Sequence, residues 1–392
     1  MKLQKGFSLI ELMVSMGIVV TVVAIATGTL MQAEHATTAV SYMANTQENL
    51  RAGMHFMVRD LMQAGEGIPQ GGVSLPNSGT SAINRPGTNP AITFPAAYTT
   101  LPAITPGYLA GQFATSLNPS TGVTLTGVRT DIINIIYADN ILQDTAGNYL
   151  YSYPIIQAAN PPCAGTINAT GASVTLAPAC FIMPGAINPI TTGNLIMFHN
   201  QNGTALEYVT SVAGQTINFS AGDPAGLNQT GKAFGTVANL ATSPGVFPPT
   251  IITRVWMVTY YVDATNVQNP QLIRQVNYPN YPAGAPVNPP TAIADDIENL
   301  AFSYAITSST DPAGTYAVTP FTNGPGNAPQ PILPDTPAQI RAANVFLAGR
   351  SENTYTALST PQYMRNNLST QVSIRSLSFN NQFNTSATAL AP

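Results

Sequence analysis

From Phe7 to Ala33 the sequence FSLIELMVSMGIVVTVVAIATGTLMQA is apolar on every side, with Glu11 as its single ionisable residue. At 1.5 Å per residue, a helix of this length crosses a ~30 Å hydrocarbon core. Polarity then rises, yet no proline occurs until Pro69, and Val40, Met43, Gln47, Leu50, Met54, Met57 and Leu61 recur at spacings of three and four. That spacing predicts an apolar stripe, interrupted once at Gln47, on a continuation of the same helix. The whole helix is expected to run from Phe7 to Gln63, roughly 85 Å. Gly65, Gly67 and Pro69 then end it. Gly17 and Gly28 are its weak points, and Gly28 permits local melting, but each costs only ~1 kcal/mol relative to alanine.

Beyond the helix the pattern changes period. Residues 70–126 are dominated by Pro, Gly, Asn, Thr and Ala and read as long loops with short strands. Runs rich in β-branched and aromatic residues follow: TDIINIIYADN (130–140), NYLYSYPII (148–156) and SVTLAPACFIM (173–183). NLIMFHN, ALEYVTSV and QTINFS, between Asn194 and Ser220, form a hairpin series turning at 201–204 and at Ala213-Gly214. RVWMVTYYVD (254–263) pairs in the same way with QLIRQVNY (271–278). Further on, IADDIENLAFSYAI (293–306) reads as a short helix entering a strand. AQIRAANVFLAGRS (338–351) ends in an apolar strand, and RNNLSTQVSIRSLSF (365–379) closes the sheet. The expected fold is α+β, an antiparallel sheet lying on the amphipathic part of a long N-terminal helix, with loop insertions.

Composition narrows the function classes. Charged residues make up only 8% of the 392, so the surface is built from Thr, Asn, Ser and Gln. A net charge of −4 with scattered Lys and Arg disfavours nucleic acid, whose binding relies on several phosphate contacts. Catalysis has few candidates: the histidines are His35, His55 and His199, and there is no HExxH, CxxC, GxSxG or phosphate-binding glycine loop. Asp295, Asp296 and Glu298 form the densest acidic cluster, a weak calcium candidate without EF-hand spacing and otherwise a solvated face. Tyr151, Tyr153, Tyr260 and Tyr261 are either an adhesive aromatic platform or ordinary strand positions. Cys163 and Cys180 pair if the chain is exported, which would contribute about 3 kcal/mol. Otherwise they are two unrelated thiols.

Glu11 is the anomaly, because a charge at bilayer depth costs on the order of 3 kcal/mol. Neither Lys, Arg nor His lies near it on the helix. Lys2 and Lys5 precede the apolar run with no acidic residue, so the positive-inside rule places the first six residues in the cytoplasm and exports the rest. An ordinary secretory signal would have a shorter apolar core with its small-residue cleavage site after it. Here Gly6 comes before it.

The segment KGFSLIEL, residues 5–12, resembles the prepilin peptidase site of type IV pilins and pseudopilins. A basic leader, Gly before Phe, Glu five residues into the processed chain and a long apolar helix carry the resemblance. It implies recognition of a leader bearing Lys2 and Lys5, cleavage between Gly6 and Phe7, N-methylation of Phe7, and pairing of Glu11 with the Phe7 amine during assembly. In these terms residues 1–6 are the leader, 7–33 the transmembrane and assembly half of the helix, 34–64 its amphipathic half, and 65–392 an exported β-rich body with a loop-rich insertion at 70–190. The order of elements from about 194 onward resembles the PilW minor pilins, which are similar in turn to the J-type pseudopilins of type II secretion. The implied protein is a building block without a cofactor, not an enzyme. It would sit in the bacterial inner membrane, then in a filament, near whose tip it would prime assembly. Its partners would be prepilin peptidase, other minor and major pilins through their N-terminal helices, membrane lipid and the inner-membrane assembly platform. A J-type pseudopilin, or a tip adhesin or DNA-uptake pilin, are the rival readings.

Overall fold

A computed structural model of the chain describes residues 8–69, 71–76, 83–86, 93–94, 99–112, 129–139, 165–176, 189–278, 289–307, 337–355, 362–374 and 376, together with strand backbone at 116–117, 124–125, 153–155 and 316–319. The helix α1 spans Leu9–Gln63 and passes without a break through Gly17 and Gly28. It stops where glycine chemistry stops it: Gly65 and Gly67 both take positive φ, 77° and 66°. The end of the helix is handed directly to a sheet, the Gly65 N–H donating to Ile136 O at 2.8 Å and the Ala138 N–H to Glu66 O at 2.7 Å.

The strands that follow are short at first: β1 Val73–Ser74, β2 Thr100–Leu101, β3 Ile104–Gly107, β4 Ser116–Leu117, β5 Thr124–Leu125, β6 Ile132–Ala138, β7 Tyr153–Ile155, β8 Gly165–Ile167 and β9 Ser173–Leu176. The middle of the chain gives β10 Leu195–Asn200, β11 Gly203–Tyr208, β12 Ser211–Ala213, β13 Thr216–Asn218, β14 Thr250–Asp263 and β15 Gln271–Val276. The last third gives β16 Thr291–Ala294, β17 Ile297–Thr307, β18 Tyr316–Thr319, β19 Ile340–Tyr355 and β20 Gln362–Ser373. Every pairing among these is antiparallel, with β14 the spine of an eight-stranded sheet ordered β11-β10-β14-β15-β16 that also takes up β3, β6 and β7. A second sheet is ordered β18-β17-β19-β20, and a small third one β12-β13-β9-β8.

The main core lies where α1 and the two larger sheets meet. Leu50, Met54, Met57 and Leu61 of α1 pack against Ile133, Ile135, Val258, Tyr260 and Leu272 of the first sheet and Leu300, Phe302, Val345 and Leu347 of the second. Burying a leucine or methionine stabilises by about 1.5–3 kcal/mol, so these four helix side chains suffice to dock the helix. The fold is thus the expected α+β arrangement, a long helix packed on antiparallel sheets.

Three local readings are corrected. The segment 293–306 contains no helix: β16 turns sharply through Asp295 and Asp296 into β17, with Asp296 in the left-handed region at φ 58°. Aspartate tolerates that region, so the acidic pair makes a turn instead of a helix start. The hairpin series 194–220 splits between sheets, β10 and β11 joining the large one and β12 and β13 the small one. The stripe on α1 is covered only in its second half. Val40 and Met43 remain 67% and 45% exposed and Gln47 is exposed, while Thr46, Gly53 and Asp60 are buried alongside the leucines and methionines.

Candidate assembly face of the N-terminal helix

Residues 9–31 of α1 are exposed along their whole length among the described residues. Leu9 and Ile25 are 79% and 69% exposed, whereas Leu50 and Met57 are 1% and 0%. The segment is long and apolar enough to cross a membrane. Its few hydroxyls are silenced internally: Ser15 donates to Leu12 O, Thr21 to Gly17 O and Ile18 O, Thr27 to Val23 O and Ala24 O, and Thr29 to Ala26 O. A helix surface with its polar side chains satisfied by its own backbone suits either lipid or a packed bundle of similar helices.

At the start of this face Ser8 and Glu11 close a capping box. The Glu11 N–H donates to Ser8 Oγ at 3.2 Å, and the Ser8 N–H donates to Glu11 Oε2 at 3.0 Å. The S-x-x-E spacing that announces this cap stands in the sequence at 8–11 and went unread there. Glu11 therefore has a local donor, and its outer lone pairs stay open to a second one. Lys2, Lys5, Gly6 and Phe7 lie outside the described residues, as do Cys163 and Cys180.

The other end of the helix is held by a buried polar contact that the apolar stripe gave no hint of. Asp60, on the buried face of α1, accepts from the Tyr260 hydroxyl at 2.6 Å on β14 and from Arg274 Nε at 2.7 Å on β15. Burial, and then the Asp60 charge, push the Tyr260 hydroxyl far above its ordinary range and neighbouring Tyr137 up to about 12, so both stay protonated donors. The signal was a carboxylate at i+3 from Met57 on a face otherwise apolar. Close by, the helix backbone approaches the sheet at Gly53, where an added Cβ would lie 2.7 Å from Leu272 Cδ2.

The hairpin of β19 and β20 flanks the same stretch of helix. Near its tip the Tyr355 hydroxyl donates to His35 O at 3.4 Å, and beyond its far end the Ser376 hydroxyl donates to Ala64 O. Strand β20 therefore accompanies α1 from His35 to Ala64.

The acidic cluster does not converge. Asp295 accepts from Gln271 Nε2 at 2.7 Å. Asp296 faces Arg350 at 3.8 Å, and Glu298 bridges Arg350 at 3.6 Å and Arg365 at 2.7 Å. Among the described residues no group of three or more could hold a metal. Burial raises the Asp296 carboxyl to about 6, against the pull of Arg350. The aromatic platform fails for its described members, since Tyr260 and Tyr261 are 0% and 8% exposed; Tyr151 lies outside the described residues, and only backbone is described at 153. His199 is exposed on β10, while His35 and His55 sit twenty residues apart on α1.

With this geometry in view, residues 1–27 match the model of the prokaryotic N-terminal methylation motif. The motif and the bare apolar helix together fit a type IV pilin-like or pseudopilin-like substrate of prepilin peptidase. No curated protein and no solved structure matches the chain.

Proposed function

We propose that this chain is a minor, PilW-like pilin that anchors in the bacterial inner membrane, is cut between Gly6 and Phe7 and methylated on Phe7, and then joins a filament near its tip. It is a building block, not a catalyst. The observation that carries this reading is the unequal helix: a first half left bare by the described residues, headed by the methylation motif, and a second half sunk into a large β-rich body. An exposed helix this apolar leaves lipid only by packing against others like it. In this role Glu11 keeps its Ser8 contact and offers its remaining oxygen lone pairs to the new Phe7 amine, compensating a charge that lipid penalises by about 3 kcal/mol. The size of the body and its scarcity of charge fit an accessory subunit presenting loops outward.

The experiment is intact mass and N-terminal fragmentation of the membrane-extracted protein, with and without prepilin peptidase. A chain starting at N-methylated Phe7 only when the peptidase is present is the expected result; a Met1 terminus despite active peptidase refutes the processing. Glu11→Gln is expected to insert normally yet enter filaments less, and unchanged incorporation removes the pairing role. Loss of pilus-dependent motility, as opposed to loss of protein secretion, in a null strain separates the minor pilin from a J-type pseudopilin.

A further inference from the structure

Among the described residues strand β20 is an open sheet edge. It has twelve residues and pairs only with β19 among the described residues, whereas β18 at the opposite edge of the same sheet has four. The pairing fixes which of its groups look outward. The Ile374 N–H donates to Arg341 O, and the register continues as Ala342↔Ser373 through Gly349↔Asn366. Alternation then bonds residues 366, 368, 370 and 372 to β19 and turns the N–H and C=O of 367, 369, 371 and 373 away from it. The Arg350 N–H pointing the other way, to Asp296 O on the β17 side, fits the same parity. The Asn367 N–H is taken locally by Asn366 Oδ1 at 2.8 Å. Those of Ser369, Gln371 and Ser373 have no partner among the described residues.

The usual protections are missing. Edge strands are commonly blunted by proline, lysine, an inward charge or a bulge, because an open row of donors and acceptors recruits another strand. Residues 366–373 read NNLSTQVS, with neither proline nor charge, and the register irregularity of this hairpin lies at its other end, between Arg350 and Thr354. The strand's single charge, Arg365, is engaged by Glu298.

We propose that β20 is a β-augmentation edge, receiving an extended, uncharged strand from the body of a neighbouring pilin-like subunit. The location names this occupant. A twelve-residue strand spans about 40 Å, and the adjoining helix from His35 to Ala64 about 44 Å, so the edge begins where the bare apolar face leaves off and continues it along the body. Subunits whose bare helices pack side by side bring their bodies alongside this edge. The backbone bonds supply affinity and the neutral Ser and Gln side chains avoid charge repulsion. The inference rests on the filament-subunit reading above.

The test is residue-resolved hydrogen exchange on the processed full chain, once in detergent and once in purified filaments. The expected result is that Ser369, Gln371 and Ser373 amides exchange fast in detergent and become protected in filaments, while Leu368, Thr370 and Val372 are protected in both. Fast exchange of the outward amides in filaments refutes the edge pairing alone. Protection already present in detergent refutes it in favour of the chain's own residues 377–392 covering the edge. Absence of the processed chain from filaments overturns both this inference and the subunit reading. As a second measurement, Ser369→Pro removes one outward N–H and leaves the β19 ladder intact. It is expected to lower filament incorporation roughly fivefold or more, the equilibrium weight of one net backbone hydrogen bond, with unchanged unfolding of the detergent-bound chain. Full incorporation refutes the proposal.

Discussion

Replacing Asp60 with alanine is expected to destabilise the body by about 3 kcal/mol. Removing one member of a buried ion pair costs about 3–5 kcal/mol when the other is fully buried, and Arg274 retains 18% side-chain exposure, so its share falls below that range. The orphaned Tyr260 hydroxyl, 2.6 Å from Asp60 and fully buried, adds about 1–3 kcal/mol. Against these stand two gains for alanine: higher helix propensity of about 0.5 kcal/mol, and relief of a negative charge in the last helical turn, ~0.5 kcal/mol at most. The desolvated partners outweigh both. Asp60→Asn keeps an acceptor for Tyr260 and loses only the charge, so it should cost roughly half as much. Trp256 is the sole tryptophan and sits half-buried on β14, so its fluorescence in urea titrations of the detergent-solubilised chain reports unfolding of the sheet under the helix. A double-mutant cycle with Arg274→Met isolates the pair. A loss under ~1 kcal/mol for Asp60→Ala, or a coupling near zero, would sink the claim that this contact clamps the helix to the sheet.

Two further outcomes follow from contacts elsewhere in the body. Asp131 accepts from the Leu109 N–H at 2.7 Å and the Phe302 N–H at 2.8 Å, joining the two large sheets, and burial outweighs those bonds and raises its carboxyl to about 6. Because Asp131 and Asp296 both have folded values above the unfolded one, their contribution is full below about pH 4 and lost as pH rises through about 6; Asp131→Asn should flatten the pH dependence of the unfolding free energy from urea titrations across that window by up to about 3 kcal/mol, and an unchanged slope refutes it. Gly53→Val is expected to lower stability by about 1–3 kcal/mol through overpacking against Leu272 and Leu347, read by the same titration, and a neutral result shows that the helix has room to lift.

The helix, its end and most strands after 194 were legible because each rests on local physics. An uninterrupted apolar run, a glycine pair able to take positive φ, and alternating β-branched residues need no knowledge of partners. What the sequence misplaced depended on tertiary choice. Val40 and Met43 share the spacing of Leu50 and Met54, but among the described residues full burial on the helix begins only at Thr46, and spacing carries no information about where a covering layer stops. Asp295 and Asp296 suit a helix start and a tight turn equally, and the pairing of β17 with β19 decided for the turn. Asp60 was passed over because a lone carboxylate on a stripe is usually solvated; its partners, Tyr260 and Arg274, lie some two hundred residues away. Over residues 5–12 the reading came from residue order, and the capping box of Ser8 and Glu11 was legible in the same order as S-x-x-E but was not read from it.

The division of α1 into a bare half and an embedded half also makes it a mechanical element. Among the described residues, a pull applied to residues 9–31 meets the outlying Tyr355–His35 contact and then passes into the body through the embedded turns from Thr46 to Leu61, where the load runs nearly along the helix axis. Side chains seated in this way resist as a group, since sliding the helix by one turn must unseat Leu50, Met54, Met57 and Leu61 together and break the Asp60 contact in the same motion. A peeling load, beginning at one end, would meet them one at a time. The architecture thus favours tension along the helix over leverage across it.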